Sequence, residues 1–383
     1  MIIRYFAKTH IPSYSANSIQ VVNMIISLSK QVEKVFLYIP FKPKRLLLSS
    51  LKTIFFRYGV KYPKNLKISF LKKDKNFLFE ESAINYINKK LQNSTDLFFT
   101  RNIFIAYFLT QKNKKVIYES HEFSKDKQFK NFKSFIESIN KHKYSKIIAI
   151  SNSISQKYQK NGLMQQKIKV FPDGINEDFF KKKNKKTKEK YLSRLFKNKG
   201  IYNQKIVLYT GSLKKEKGVY FLLKIAQKLP HINFIIVGGR PKEIEEIKKD
   251  INSYKNIYIH PYIKYKNIPV LLQEADILVM PYLKKGSLID SMSPLKMFEY
   301  LASGKPILAS KLPVIEEILQ DNYNSFLFEP ENIDSFIKSL KKIFSLSIED
   351  LKYISNNALQ TAKQHTWDKR VKNILNWYHK TCV

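Results

Sequence analysis

Of 383 residues, 69 are Lys or Arg and 31 are Asp or Glu, a formal net charge of +38 in a chain whose charged fraction, 26%, is ordinary. With 44% hydrophobic and 14% aromatic residues and length for about two domains of 100 to 200 residues each, disordered and collagen-like classes are excluded. The single cysteine, Cys382, leaves no intrachain disulfide and no cysteine-based zinc site, which suits a reducing compartment.

The opening run Met1-Ile2-Ile3-Arg4-Tyr5-Phe6 is strand-like with a charge inside it. It lacks the apolar stretch and small-residue cleavage site of a signal peptide, so Met1 is expected to be the mature N-terminus. No run of about 18 apolar residues is present to span a membrane. The basic surplus favours an anionic partner. Zinc-ligand spacing, an aromatic RNP pattern and a basic region with heptads are all missing, so a membrane surface is preferred over nucleic acid.

In chain order, strands are expected at residues 2–6, 34–38, 97–100, 115–118, 146–149 and 167–171. A second series follows at 205–209, 233–237, 257–260, 277–280, 306–309 and 325–328. Amphipathic helical patterns lie between them at 18–29, 151–161, 220–228, 241–252 and 333–344. Strand followed by helix, repeated, means parallel sheets with helices on both faces. The lysine-dense, polar segment 180–190 separates the two series and reads as a solvated linker or a helix start. Domains are therefore expected at 1–185 and 200–366.

Two constellations carry chemistry. Tyr209-Thr210-Gly211-Ser212-Leu213-Lys214-Lys215-Glu216-Lys217-Gly218 sits between a strand and a helix. Glycine lets backbone approach a ligand, a helix N-terminus offers free N–H groups, and Lys217 can stand beside a phosphate. An ordinary turn with surface lysines reads the same way. In the second, Ser291-Met292-Ser293-Pro294-Leu295-Lys296-Met297-Phe298-Glu299, a proline starts a helix and Glu299 lies further in. Its carboxylate could take both hydroxyls of a ribose, or pair locally with Lys296 or Lys305.

Together with Phe234-Ile235-Ile236-Val237-Gly238-Gly239, Ala275-Asp276 and Tyr300-Leu301-Ala302-Ser303-Gly304-Lys305-Pro306, these motifs resemble the retaining glycosyltransferases of family 4. In the first half, Ser15-Ala16-Asn17, Thr100-Arg101-Asn102, Glu119-Ser120-His121, Ile150-Ser151-Asn152 and Phe171-Pro172-Asp173-Gly174 match further landmarks of that family. The resemblance covers nearly the whole chain. It implies an α/β fold of the GT-B class, two Rossmann-like doubly wound parallel-sheet domains facing a cleft. The first would bind the acceptor and the second the nucleotide-sugar, with a last helix at 367–383 joining the first domain.

The resemblance also assigns residues. His121 and Lys217 would be catalytic. Donor contacts would come from Ser15, Ala16, Gly211, Ser212, Lys217, Ile263, Asp290, Ser291, Ser293, Pro294, Leu295, Lys296 and Glu299, and acceptor contacts from Asn17 and Arg101. No metal or other cofactor is implied. Departures from the family pattern are Ser291 in place of the first of two glutamates, with Asp290 before it, Ser212 in place of an arginine, and Ser15-Ala16 in place of two glycines.

The expected reaction is transfer of a sugar, with a UDP-sugar favoured, to a saccharide or lipid-linked acceptor in surface polysaccharide, lipopolysaccharide or other glycan synthesis. In it the departing diphosphate takes the acceptor proton and the enzyme supplies electrostatic stabilisation. A cytoplasmic protein docked on the inner face of the membrane is expected, through residues 41–79. There Lys42, Lys44, Arg45, Lys52 and Arg57 interleave with Leu46, Leu47, Leu48, Leu51, Ile54, Phe55 and Phe56. Rival readings are a sugar-nucleotide epimerase of the same shape and a non-catalytic basic protein binding lipid or RNA.

Overall fold

The computed structural model describes residues 1–41, 51–71, 78–180, 191–197, 199–251, 254–284 and 291–382. They form two units. Unit 1 contains the chain to Asp173, residues 291–293 and the segment from Trp367, and unit 2 contains the described residues from Gly174 to Thr366 apart from 291–293.

Unit 1 is built on a seven-stranded parallel sheet: β1 (Ile2–Phe6), β2 (Lys34–Pro40), β3 (Leu66–Leu71), β4 (Leu97–Thr100), β5 (Val116–Ser120), β6 (Ser145–Ala149) and β7 (Ile168–Val170). The order is β3-β2-β1-β4-β5-β6-β7. Every residue of β4, β5 and β6 is buried, because helices cover both faces of a parallel sheet and its strands become near-continuous apolar runs. Strand β3 was not anticipated. It is an edge strand, paired to β2 with Leu66 beside Val35, and just its first and last residues are buried. A half-covered edge with Lys67 and Ser69 in it has no apolar run to read.

Unit 2 repeats the plan with β8 (Lys205–Thr210), β9 (Ile232–Val237), β10 (Ile257–His260), β11 (Ile277–Met280), β12 (Ile307–Ser310) and β13 (Phe326–Phe328), in the order β10-β9-β8-β11-β12-β13. Both sheets reverse direction of build-up at one place, between β1 and β4 and between β8 and β11. There the loops leaving the carboxyl ends of neighbouring strands turn to opposite faces and leave a crevice that binds ligands. The fold class is therefore the expected pair of Rossmann-like, doubly wound α/β units.

Four helices position the residues of interest: α1 (Ala16–Ser29), α2 (Val219–Lys228), α3 (Leu295–Ser303) and α4 (Trp367–Cys382). Helix α1 begins two residues before the expected Ser18, because Ser15 is its N-cap and accepts from the Ser18 amide. Trp367, Val371, Ile374, Leu375 and Tyr378 of α4 are buried in unit 1.

The division between units falls at Asp173–Gly174, ahead of the lysine-rich linker, of which residues 181–190 lie outside the described residues. The cause is on α4. The Phe171 ring lies 5.8 Å from that of Trp377, and the Arg370 guanidinium donates to the carbonyls of Phe171 and Pro172. The chain thus stays tied to unit 1 two residues past β7, whereas Ile175 already bridges to Thr366 in unit 2.

Candidate functional site

In unit 2 the crevice between β8 and β11 gathers the first constellation. Gly211 follows β8 with φ +139°, and a Cβ on it would lie 2.7 Å from the Nζ of Lys296. Gly218, the N-cap of α2, has φ +76°, and a Cβ there would come within 1.6 Å of the Pro281 carbonyl oxygen, just past β11. Glycine is therefore required at both places, at Gly211 by its positive φ and at Gly218 also to let two backbone segments touch. The Tyr209 hydroxyl donates to the Ser212 carbonyl at 2.7 Å, fixing the turn.

Two lysines converge here. The Nζ of Lys217 lies 4.5 Å from the centroid of the Tyr282 ring. That of Lys296, from the first turn of α3, lies 3.7 Å from the centroid of Tyr209 and 5.5 Å from that of Tyr282. The Lys296 Nζ is buried without a hydrogen-bond partner, and neither lysine forms an ion pair with a described residue. Burial lowers the pKa of Lys217 to about 8, with Glu216 opposing and Lys214 assisting. Burial and then the Lys217 charge bring Lys296 well below the usual lysine range.

Further along α3, Glu299 is buried beside Tyr265. Burial raises its pKa to about 7 against the pull of Tyr265 and Lys296. Two lysine side chains facing one aromatic ring, with a carboxylate deeper on α3, can neutralise a diphosphate once both are protonated and hold a hydroxyl-bearing group beyond it. Ile263 lies in the loop after β10, and Pro294 is the N-cap of α3 with Leu295 its first residue.

In unit 1 the carboxyl ends of β1, β4 and β5 carry a second cluster. His121 follows β5, and its Nε2 lies 3.1 Å from Oε1 of the fully buried Glu119. That contact is out of line for a hydrogen bond. Burial, assisted by the nearby Arg101 charge, lowers His121 to about 4 despite Glu119. The imidazole is therefore neutral near pH 7, and the contact is not an ion pair. Glu119 Oε1 also accepts from Arg370 at 2.7 Å and from the Gln20 amide at 2.8 Å. Burial alone would raise Glu119, but Arg370, followed by His121 and Arg101, holds its carboxyl well below the usual range. Arg101 donates to the side-chain carbonyls of Asn17 and Gln20 at 2.6 and 2.7 Å. Asp173 has the opposite fate, since burial raises it to about 7 although Arg370 pulls it down.

The structure thus brings together Asn17, Arg101 and His121 in unit 1, and Gly211, Ser212, Lys217, Lys296 and Glu299 in unit 2. Ser15 acts as the cap of α1, which begins at Ala16. Ser291 and Ser293 belong to unit 1, where Ser293 Oγ accepts from the Asp173 amide at 2.9 Å. Asp290 lies outside the described residues. Of the apolar residues expected to meet a membrane, Ile54 and Phe55 are instead buried in unit 1, because the helix over Leu51–Arg57 turns them inward.

Sequence reasoning gave no role to Tyr209, Tyr265, Tyr282, Asp173 or Arg370. Tyrosine is too common in this chain to stand out. Arg370 could have been noticed, because arginine occurs at only seven positions in a lysine-dominated chain, and a forked guanidinium is what a buried carboxylate with two carbonyls demands.

Among the described residues, Glu119, His121 and Asp173 hold potential metal-ligating atoms within 4.8 Å of one another. The Arg370 guanidinium already occupies Glu119 Oε1, and its charge opposes a cation there. No helix among the described residues is long and apolar enough to cross a membrane.

Residues 193–361 match the family model described as glycosyl transferases group 1. An uncharacterized glycosyltransferase of Methanocaldococcus jannaschii is 26% identical over 290 residues, 72% of this chain and 68% of that protein. Two others from the same organism are matched over 62% and 59% of their lengths. The UDP-Gal:alpha-D-GlcNAc-diphosphoundecaprenol alpha-1,3-galactosyltransferase of Escherichia coli is 24% identical over 46% of this chain and 45% of its own. Among solved structures, Anabaena HepE in complex with UDP-glucose superposes with a TM-score of 0.73 at 15% identity, covering 98% of this chain and 99% of that one.

Proposed function

Because residues 193–361 match the glycosyl transferases group 1, we propose that the chain is a glycosyltransferase that moves a sugar with retention from a UDP-sugar to a saccharide or lipid-linked acceptor. The observation that carries the donor side is the pair of lysine amino groups, Lys217 and Lys296, on the face of Tyr282 without an ion-pair partner. A diphosphate supplies the missing counter-charge. The Gly211 and Ser212 backbone approaches it, Glu299 takes the ribose hydroxyls, and the base lies at the loop containing Ile263. The preference for UDP is supported by the E. coli relative, named for UDP-Gal, and by HepE, bound to UDP-glucose.

Charge growing on the departing diphosphate is stabilised by Lys217 and Lys296 more strongly than charge in the ground state, which is what lowers a barrier. Two ammonium groups fill the electrostatic role a divalent cation would otherwise take, so the reaction is proposed to be metal-independent. In unit 1 the neutral imidazole of His121 suits a hydrogen bond to a sugar hydroxyl, and Asn17 with Arg101 offers polar contacts to an acceptor.

A panel of sugar nucleotides tests the reading through nucleoside diphosphate release with and without saccharide acceptors. Release from a UDP-sugar with the anomeric configuration kept in the product supports it. An epimerised sugar formed without any acceptor favours the epimerase, and no turnover of any donor favours a binding protein.

The acceptor is proposed to be presented at an anionic membrane in surface glycan synthesis, with the chain peripheral on the cytoplasmic face. Phe56 and Leu78 are 61% and 59% exposed, with Lys52 and Arg57 on the same short helix as Phe56. Lys42, Lys44, Arg45, Leu46, Leu47, Leu48, Lys72, Lys73 and Lys75 lie outside the described residues. Apolar side chains among cations suit interfacial docking. Co-sedimentation with anionic but not neutral vesicles, lost when Lys52 and Arg57 become Glu together with Phe56→Ser, supports it, and equal recovery in the supernatant refutes it.

A further inference from the structure

The Lys296 side chain is held in a way that suits an amine better than an ammonium ion. Its Nζ is buried, has no hydrogen-bond partner, and rests on the Tyr209 and Tyr282 rings at 3.7 and 5.5 Å. Tyr282 also receives the Lys217 Nζ, at 4.5 Å from the ring centroid. A cation over aromatic faces regains only part of the hydration it has lost, and a second cation on the same ring subtracts from that.

The ionisable groups around Lys296 come from several elements. Tyr209 is the penultimate residue of β8, Lys214, Glu216 and Lys217 line the turn after it, and Tyr282 follows β11. Glu299 and Tyr300 share α3 with Lys296, and Tyr265 stands beside Glu299 from the turn after β10. The two carboxylates are otherwise engaged, Glu299 by Tyr265 and Glu216 at 4.0 Å from Lys214. The turn at Gly211 has no side chain that could displace the amine, since a Cβ there would lie 2.7 Å from it.

We propose that Lys296 rests as a neutral amine before the donor binds and takes up a proton from solvent when a diphosphate enters, so that binding of the nucleoside diphosphate carries a proton with it. The inference rests on the donor reading under Proposed function and adds its regulation. Lys217, the more exposed of the pair and charged near neutral pH, attracts the anion. The anion then supplies the negative field that Lys296 lacks, and the amine becomes a second ammonium against the diphosphate. Burial and the Lys217 charge both favour the neutral amine before that event. Above neutrality the proton becomes scarcer, so product nucleotide is held less tightly and leaves more readily.

The test is calorimetry of the full chain with UDP at pH 7.5, in two buffers that differ in ionisation enthalpy and are not themselves phosphates. At that pH the diphosphate is almost fully ionised, and Lys217 and Glu299 can exchange a fraction of a proton, so the part of the uptake that disappears in Lys296→Gln reports Lys296. The expected result is uptake of about one proton per UDP bound, affinity falling as pH rises, and loss of the uptake in Lys296→Gln with affinity reduced at least about tenfold. Uptake undiminished in Lys296→Gln, or wild-type binding with no uptake, overturns the inference and leaves the donor reading standing. Failure of wild type to bind either UDP or inorganic pyrophosphate overturns both. Thermal unfolding gives a second readout, because Lys296→Met removes a buried amine without a partner and should raise the midpoint while lowering turnover. A lowered midpoint with turnover unchanged marks Lys296 as merely structural and overturns the proposal.

Discussion

Replacing Arg370 by methionine removes the guanidinium that neutralises Glu119 and leaves an apolar stem of similar length. The two side chains are 3% and 0% exposed, and Nη2 lies 2.7 Å from the carboxylate. The variant strands a buried carboxylate and also leaves the Phe171 and Pro172 carbonyls without their donor. Breaking one side of such a pair costs about 3 to 5 kcal/mol. With a urea slope of about 2 kcal/mol/M, the midpoint should fall by about 1.5 to 2.5 M. Trp367 and Trp377 are the only tryptophans of the chain and both lie on α4, so intrinsic fluorescence follows unit 1 and is not mixed with unfolding of unit 2. Glu119→Gln should also destabilise. The pair Arg370→Met with Glu119→Gln should lose less than the two costs added, by about 1 to 3 kcal/mol, because neither charge is then left alone. Since the carboxyl of Glu119 is held below its ordinary range, its contribution is present above the unfolded pKa and disappears as pH falls through the lower folded value. Arg370→Met should blunt that acid loss. Single variants within about 0.5 kcal/mol of wild type, or strictly additive costs, would refute the reasoning.

Lys217→Ala should lower kcat by about 10² to 10³, equivalent to about 3 to 4 kcal/mol, with circular dichroism and thermal midpoint unchanged; near wild-type turnover removes it from the mechanism. Glu299→Gln should weaken UDP binding about tenfold by calorimetry, because one carboxylate oxygen able to accept from a ribose hydroxyl is lost, and unchanged affinity contradicts the assignment. Asp173, raised to about 7 by burial, stabilises unit 1 fully below its unfolded pKa and loses that contribution as pH rises through about 7. Asp173→Asn should therefore flatten the decline of the tryptophan-reported midpoint between about pH 4 and 7, and an undiminished slope counts against the shift.

What could be read without a structure was whatever is local in the chain. A parallel strand buried on both faces must be an apolar run, so β4, β5, β6, β8, β9 and β11 were visible, and with the helical periods between them so was the doubly wound class. Gly211, Lys217, Gly218 and Glu299 stood out because strand, glycine turn and helix start are consecutive in sequence. The edge strand β3 did not, since a strand with one covered side and a lysine in it has no such run. The tertiary structure alone decided the partnerships. Lys296 meets Tyr209 and Tyr282 only because α3 packs against the loops after β8 and β11, and Glu119 meets Arg370 across 251 residues only because α4 returns to unit 1. Whether a lysine is a solvated surface charge or a buried amine, and whether a carboxylate rests below its ordinary pKa like Glu119 or near neutrality like Asp173, depends on burial and on charges brought near by packing. Composition and spacing carry no record of either.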